Sequence, residues 1–378
     1  MKIIFPLGAF YPSQMGGPCN TLYWHTCALK SKDIDNFVIT TNRGIANEKI
    51  DTNKWILNEC GNVYYSKRGL VSFCKFILQL SKMLHKSDVI HLNSLFNFYS
   101  IFSFTYCKLF LRNKSIVWSV RGELNKNALK FNNWKKIPFL WLYKRLNKNI
   151  TYHSTSEEET IHIQEFFLNA QIVQIPNLLS PADRIETNVS NYLLFVGRIH
   201  KIKAIHKLIE ALSLSEKFKK SNFELHIIGK HEERHDSYKL ELVNLINNLG
   251  LEHKIFFKGH LEGEQKELAY ANAYALVLPS ETENFGNVVV EALNQGTPVI
   301  ASHGTPWKVL EEFQCGLHVS NVPEDLSISI DRVISLTKDK YYEWRKNATK
   351  LVDQKFNIKT QIHNWVSIYN SIYNKNGK

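Results

Sequence analysis

Pro279-Ser280-Glu281-Thr282-Glu283-Asn284-Phe285-Gly286-Asn287-Val288-Val289-Val290-Glu291-Ala292-Leu293, closed by Gly296-Thr297-Pro298-Val299-Ile300-Ala301, is the stretch that decides the fold. The apolar run Ala275–Leu278 ahead of it is short and reads as a buried strand ending at Pro279. A polar loop with one glycine follows, and a helix is predicted to begin near Asn287. Pro298–Ala301 then restarts an apolar, β-branched run. Strand, loop, helix and strand in this order form the repeating unit of a parallel sheet. Glu283 falls on the loop, and Glu291, eight residues on, falls about a turn inside the helix. Unpaired backbone N–H groups around Phe285–Val288 face whatever lies before that helix, a place suited to hydroxyl and phosphate groups.

The same alternation extends in both directions. Upstream in this half, Tyr192–Val196, Phe223–Ile228 and Lys254–Phe257 read as strands. Helical spacing between them is seen in Leu208, Ile209 and Leu212. In the first half Lys2–Pro6, Asn36–Thr40, Val89–Leu92 and Ser115–Val120 are strand-like, and Leu95–Leu111 reads as a buried helix. A polar, turn-rich stretch from Ser180 to Asn191 separates the halves. The 378 residues exceed one typical core and suit two. The prediction is an α/β protein of two Rossmann-like domains, residues 1–180 and 190–355, with residues 356–378 helical. Parallel sheets bind ligands beyond the carboxyl ends of their strands, so an interdomain cleft is the expected site.

A second constellation stands at the first strand–helix junction of the second half: Phe195-Val196-Gly197-Arg198-Ile199-His200-Lys201-Ile202-Lys203. Gly197 permits a tight turn. Arg198 and Lys203 bring two cations to the sheet edge, the arrangement a departing diphosphate requires as its negative charge develops. A solvated basic loop is the plain alternative.

Taken together, these residues resemble the GT-B-fold retaining glycosyltransferases of family 4. The resemblance rests on Glu283-x7-Glu291 with Phe285-Gly286 inside it, on Glu291-Ala292-Leu293 and Gly296-Thr297-Pro298-Val299-Ile300-Ala301 after it, and on Gly197-Arg198 and Lys203 upstream. It implies that Arg198 and Lys203 clamp the donor diphosphate and that Glu283 lies beside the transferred sugar. Glu291 would hold ribose hydroxyls, with Asn284, Phe285, Gly286, Asn287 and Val288 contacting sugar and phosphate. Gly259, His260 and Leu261 would line the base. Lys203 is followed by Ala204 where the family has glycine. In the first half Gly16 and Gly17 match a loop glycine pair, Gly17 towards the donor and Gly16 on the acceptor side with His91. Arg121 stands where many members carry a catalytic histidine, and a structural ion pair with Glu123 or Glu157 is its alternative. The C-terminal segment 356–378 is expected to cross back to the first domain.

The implied activity is retaining, metal-independent transfer from a nucleotide-diphosphate sugar, UDP favoured over GDP, to a glycan or lipid-diphosphate-linked acceptor. Bacterial surface-polysaccharide assembly, as of O-antigen, capsule or lipopolysaccharide, is the implied setting. No cofactor is expected. A non-catalytic nucleotide-sugar or glycan-binding protein on the same fold is the alternative, against which the intact Glu283, Glu291, Arg198 and Lys203 speak.

Charge is unevenly placed. Residues 1–180 hold 22 Lys+Arg against 11 Asp+Glu, and the remainder holds 25 against 24. The asymmetry points to an anionic partner on the first half, with a generally basic, Lys- and Asn-rich composition as the plain alternative, and no nucleic-acid motif accompanies it. The Lys-rich segment Lys126–Lys148, with Phe131, Trp134, Phe139, Trp141 and Tyr143, reads as a helix suited to an anionic membrane surface, an ordinary helix burying its aromatics being the alternative. No signal peptide and no membrane span are expected, so the predicted location is cytoplasmic and peripheral at the inner face of the cell membrane. The six cysteines show no C-x-x-C pairing and read as reduced thiols. Two motifs are set aside. His231-Glu232-Glu233-Arg234-His235 matches a zinc-protease pattern without its third ligand, and Asp33-Ile34-Asp35 reads as a solvated turn.

Overall fold

A computed structural model describes residues 1–13, 17–45, 50–125, 129, 133–230 and 236–376. The chain divides into two compact units, Met1–Ser180 with Asn357–Lys378, and Pro181–Phe356.

The first unit is built on an eight-stranded sheet of order β3-β4-β2-β1-β5-β6-β7-β8. Its strands are β1 (Lys2–Pro6), β2 (Asp35–Thr41), β3 (Trp55–Asn58), β4 (Gly61–Ser66), β5 (Val89–Asn93), β6 (Ser115–Ser119), β7 (Ile150–Ser154) and β8 (Gln171–Gln174). Only β3 runs antiparallel, paired to β4 through a tight turn. Gly61 closes that turn at φ +106°, where a Cβ would stand 2.7 Å from the Asn36 carbonyl. The middle strands β5, β6 and β7 are buried along their whole length, as a parallel sheet covered on both faces requires.

On one face lie α2 (Leu70–Lys86), α3 (Phe98–Phe110), α4 (Asn133–Arg145) and α5 (Glu157–Phe166). Phe76, Phe104, Tyr143 and Ile163 from these helices pack onto Ile90, Ile116, Trp118 and Tyr152. On the other face α1 (Gly17–Lys30) and the last helix, Ile358–Asn376, bury Leu22, Leu29, Trp365 and Tyr369 against Ile3, Phe5 and Val117. The last helix is fastened at its start by the Ile358 N–H donating to the Leu179 carbonyl at 3.0 Å.

Two sequence expectations are corrected here. The segment Leu95–Leu111 is a helix over Phe98–Phe110, but only one side of it is buried: Phe98, Leu109 and Phe110 face solvent because the sheet covers a single stripe. Cys27 and Cys60, read as reduced, form a disulfide between α1 and the β3–β4 turn, while Cys19, Cys74, Cys107 and Cys315 stay outside any disulfide. Asp33 and Asp35 lie exposed at the turn entering β2. Residues 231–235, which carry the zinc-protease-like pattern, lie outside the described residues, as do Gly16 and much of 126–132. No helix among the described residues is long and apolar enough to cross a membrane.

The second unit holds a six-stranded, wholly parallel sheet: β9 (Tyr192–Val196), β10 (Glu224–Ile228), β11 (Ile255–Gly259), β12 (Ala275–Leu278), β13 (Val299–Ser302) and β14 (Gly316–Val319). The spatial order is β11-β10-β9-β12-β13-β14. Read from the first strand of the unit, this is the doubly wound order 3-2-1-4-5-6. Leu193, Phe195, Leu225, Ile227 and Val277 form its core with Ile205, Leu208 and Leu212 of the helix Ile205–Leu214.

Candidate functional site

In a doubly wound sheet the chain leaves neighbouring strands in opposite directions at one point, and a crevice opens beyond their carboxyl ends. In the second unit that point lies between β9 and β12. The residues that follow these two strands are Gly197-Arg198 and Pro279-Ser280-Glu281. Topology alone thus brings the two constellations found in the sequence to one edge.

The backbone is drawn together there by glycines. A Cβ on Gly229, just past β10, would lie 1.8 Å from the Gly197 carbonyl oxygen, and one on Gly304 would lie 2.3 Å from that of Glu281. The turn Lys201–Lys203 follows β9, and its Ile202 carbonyl accepts from the Glu281 N–H at 2.9 Å. Ala204 ends that turn in the left-handed conformation at φ 49°.

Side chains complete the junction. The Lys203 ammonium donates to the Glu283 carboxylate, both groups largely sheltered. Lys207 and Glu281 form a second ion pair at 2.6 Å. Burial works to raise the Glu281 pKa, but hydrogen bonds from Lys207 and Asn321 outweigh it, and the carboxyl sits below its ordinary range. Arg198 stands exposed just after β9. The Glu283 N–H donates to Gly304 at 2.8 Å, which fixes the loop.

Gly286 caps α10 (Asn287–Asn294; α6 to α9 being Ile205–Leu214, Glu216–Lys220, Asp236–Asn248 and Gly263–Asn272) at φ +81°. A Cβ there would press within 3.2 Å of the Glu283 side chain. Phe285 is buried against Trp307 and Phe356, while Asn284, Asn287 and Val288 remain half-buried around the helix start. Glu291 points from α10 towards α9. It accepts from the Tyr270 hydroxyl at 2.7 Å and pairs with Lys266 at 2.6 Å. Burial first, then Glu291, holds the Tyr270 phenol far above its usual pKa. Gly259 ends β11 at φ +74° with open space around it. His260 is paired with Glu262 at 2.6 Å, and Leu261 is half-buried.

The sequence did not disclose Lys266, Tyr270, Lys207 or Asn321. Lys266 and Tyr270 sit one turn apart on α9, a spacing visible in the sequence. Their link to Glu291 depends on how α9 and α10 pack, which is not.

The first-unit candidates are placed differently. Gly17 is the exposed first residue of α1. His91, expected on the acceptor side, is buried because both ring nitrogens are engaged inside the unit: Nδ1 by the Tyr369 hydroxyl at 2.5 Å and Nε2 by Ser119 at 2.8 Å. Ser119 continues to His153 Nδ1 at 2.7 Å, and His153 Nε2 reaches the Ile175 carbonyl at 2.8 Å. A carbonyl only accepts, so His153 Nε2 carries the proton. Ser119 then donates to His153, His91 Nε2 donates to Ser119, and Tyr369 donates to His91. His25 Nε2 donates to the Tyr369 oxygen at 3.1 Å. With burial lowering their pKa values and keeping the rings neutral, all three histidines are Nε2–H tautomers.

Arg121 adopts φ 60° and donates to Asn93 at 2.9 Å and to Asn177 at 2.7 Å. Its nearest acidic influence is Glu159, not Glu123 or Glu157, and burial lowers its pKa. Glu123 instead accepts from Ser94 and from the Leu95 N–H.

A family model, described as glycosyl transferases group 1, matches residues 182–351. Residues 182–351 are a glycosyl transferases group 1 domain. This domain is nearly the whole of the second unit. Two relatives are similar over comparable stretches. An uncharacterized glycosyltransferase of Methanocaldococcus jannaschii is 32% identical over 179 residues, 47% of this chain and 44% of that protein. The O-antigen chain mannosyltransferase RfbU of Salmonella typhimurium is 26% identical over 200 residues, 53% of this chain and 49% of its own. The chain thus spans about half the length of the curated relatives it matches. Among solved structures, Anabaena HepE in complex with UDP and glucose superposes with TM-score 0.74 at 18% identity, covering 98% of this chain and 100% of HepE. The fold is GT-B, with the group 1 domain as its second half.

Proposed function

We propose that this chain transfers a sugar from a nucleoside-diphosphate sugar, UDP favoured over GDP, to a glycan or lipid-diphosphate-linked acceptor, with retention and without a metal. The observation that carries the reading is the meeting of Lys203 and Glu283 at the switch point of the group 1 domain, with Arg198 beside β9 and Glu291 on α10. Lys203 and Arg198 supply the positive charge on which a diphosphate leaves, and such preorganised contacts are typically worth a rate factor of roughly 100 to 1,000. Glu283 accepts hydroxyls of the sugar, and Glu291 accepts ribose hydroxyls while Tyr270 and Lys266 hold it in place. With no covalent nucleophile in the reading, the acceptor hydroxyl attacks on the face the diphosphate leaves, and a departing phosphate oxygen takes its proton. Catalysis then consists of positioning and charge stabilisation.

UDP in the HepE complex supports the choice of base. RfbU, named for O-antigen chains, supports a role in surface-polysaccharide assembly, and the basic first half supports an acceptor presented at the inner face of a membrane. Incubation with a panel of UDP- and GDP-sugars, with hydrolysis and transfer followed by NMR, tests the reading. Release of free sugar or glycoside with the donor's anomeric configuration from one donor is expected. Inertness towards every donor, with nucleotide still bound, returns the binding-protein alternative.

A further inference from the structure

The helices α2, α3 and α4 together span 43 residues with eight Lys or Arg and no Asp or Glu. They lie on one face of the first sheet, turning their inner sides to the core. Their outer sides join into one surface. Phe73 of α2 meets Phe98 of α3 at 5.7 Å, and Lys136 of α4 stands over Phe96 at 5.2 Å. That surface is apolar as well as cationic. Leu70 is 79% exposed, Phe110 67%, Trp134 72% and Trp141 61%, with Val71 and Leu78 alike in the open. Lys135 covers the Trp134 ring at 5.1 Å and Arg145 the Trp141 ring at 5.6 Å. The acidic helix α5, with Glu157, Glu158 and Glu165, meets α4 where Lys144 stands over Phe166 at 5.3 Å.

We propose that the joint outer face of α2, α3 and α4 docks on an anionic phospholipid bilayer. A bilayer interface takes both halves of this surface: leucine, phenylalanine and tryptophan enter the acyl boundary while lysine and arginine meet the headgroups. A second copy of the chain placed symmetrically would set cations against cations. A nucleic-acid backbone would answer the charge and leave Leu70, Val71 and Leu78 in water. The face is wider than the single α4 helix that the sequence suggested, since α2 and α3 contribute half of its cations. The proposal deepens the lipid-linked acceptor of the proposed function and rests on that reading for its use. Its test involves no sugar transfer, so either can fail alone.

Cys74 on α2 is exposed while Cys19, Cys107 and Cys315 are buried, which allows one environment-sensitive maleimide to be placed on the face of the full chain. With vesicles of phosphatidylcholine containing about one-third phosphatidylglycerol at low salt, the label should shift to the blue and the chain should float with the lipid. Raising NaCl to about 0.5 M should lower the bound fraction roughly tenfold. K75E/K82E/K144E and W134S/W141S should each weaken binding at least about tenfold, with the circular dichroism of the native chain retained. Absence of flotation at low salt, equal flotation on neutral vesicles, or insensitivity to both variant sets overturns the proposal. So does a stable dimer in sedimentation equilibrium that W134S/W141S dissolves.

Discussion

The Lys203 ammonium rests on the Glu283 carboxylate, joining the turn after β9 to the loop after β12. Each group neutralises the other in a sheltered place. A diphosphate and a sugar hydroxyl would have to divide the pair between them.

Glu283→Gln should therefore separate binding from turnover. Freed from its carboxylate, Lys203 should hold UDP at least as tightly as in the native chain, while transfer falls by a factor of roughly 100 to 1,000. Calorimetry with UDP and a transfer assay measure the two effects. Loss of UDP affinity in step with activity would contradict the assigned roles.

Tyr270→Phe should leave the fold intact and Glu291 held by Lys266 alone. A hydrogen bond to a charged group is worth about 1.5–3 kcal/mol, so the second unit should unfold at lower denaturant by that amount. The KM for donor should rise more than kcat falls. An unchanged KM would remove Glu291 from the donor site.

Gly229→Ala is expected to be far more disruptive than its size suggests, because its Cβ would lie 1.8 Å from the Gly197 carbonyl oxygen. Overpacking of this kind costs about 1–3 kcal/mol or more. It also moves the turn that carries Arg198, so nucleotide binding and stability should fall together.

Acid should loosen the first unit. Burial and neighbouring charges hold His25 and His153 at about 3 and His91 well below its ordinary value, so all three stay neutral in the fold. Unfolded, they take up protons near pH 6.5. Stability is then complete above that pH and declines as pH falls towards 3. His25 and His153 alone give a slope of roughly 3 kcal/mol per pH unit, and His91 adds in the same direction. Among the described residues the charge beside the rings is Arg121, with Glu159 beyond it. Denaturant titrations at pH 7 and pH 5 read the slope, and a flat response would show that the histidines are solvated.

Much of this arrangement was legible in the sequence. Ala275–Leu278 and Tyr192–Val196 are uniformly apolar because both faces of the sheet are covered, and their limits were read correctly. The strands Ile150–Ser154 and Gln171–Gln174 were not found, since Thr151, His153 and Gln174 look like loop residues until their partners are known. His91 shows the same limit. Its strand end was recognised, but Tyr369, 278 positions away in the chain, decides that it is buried. Glu283 and Lys203 on their turns, and Glu291 inside the following helix, can be placed from local sequence alone. Lys266 was missed because only helix packing brings it to Glu291.

The central claim is that Lys203 and its neighbours receive a nucleoside diphosphate. Calorimetric titration of UDP into the native chain and into Lys203→Ala tests it most directly. Saturable binding by the native chain, weakened at least about tenfold in the variant, is the predicted result. Equal affinity in both, or no binding of UDP or GDP to the native chain, would contradict it.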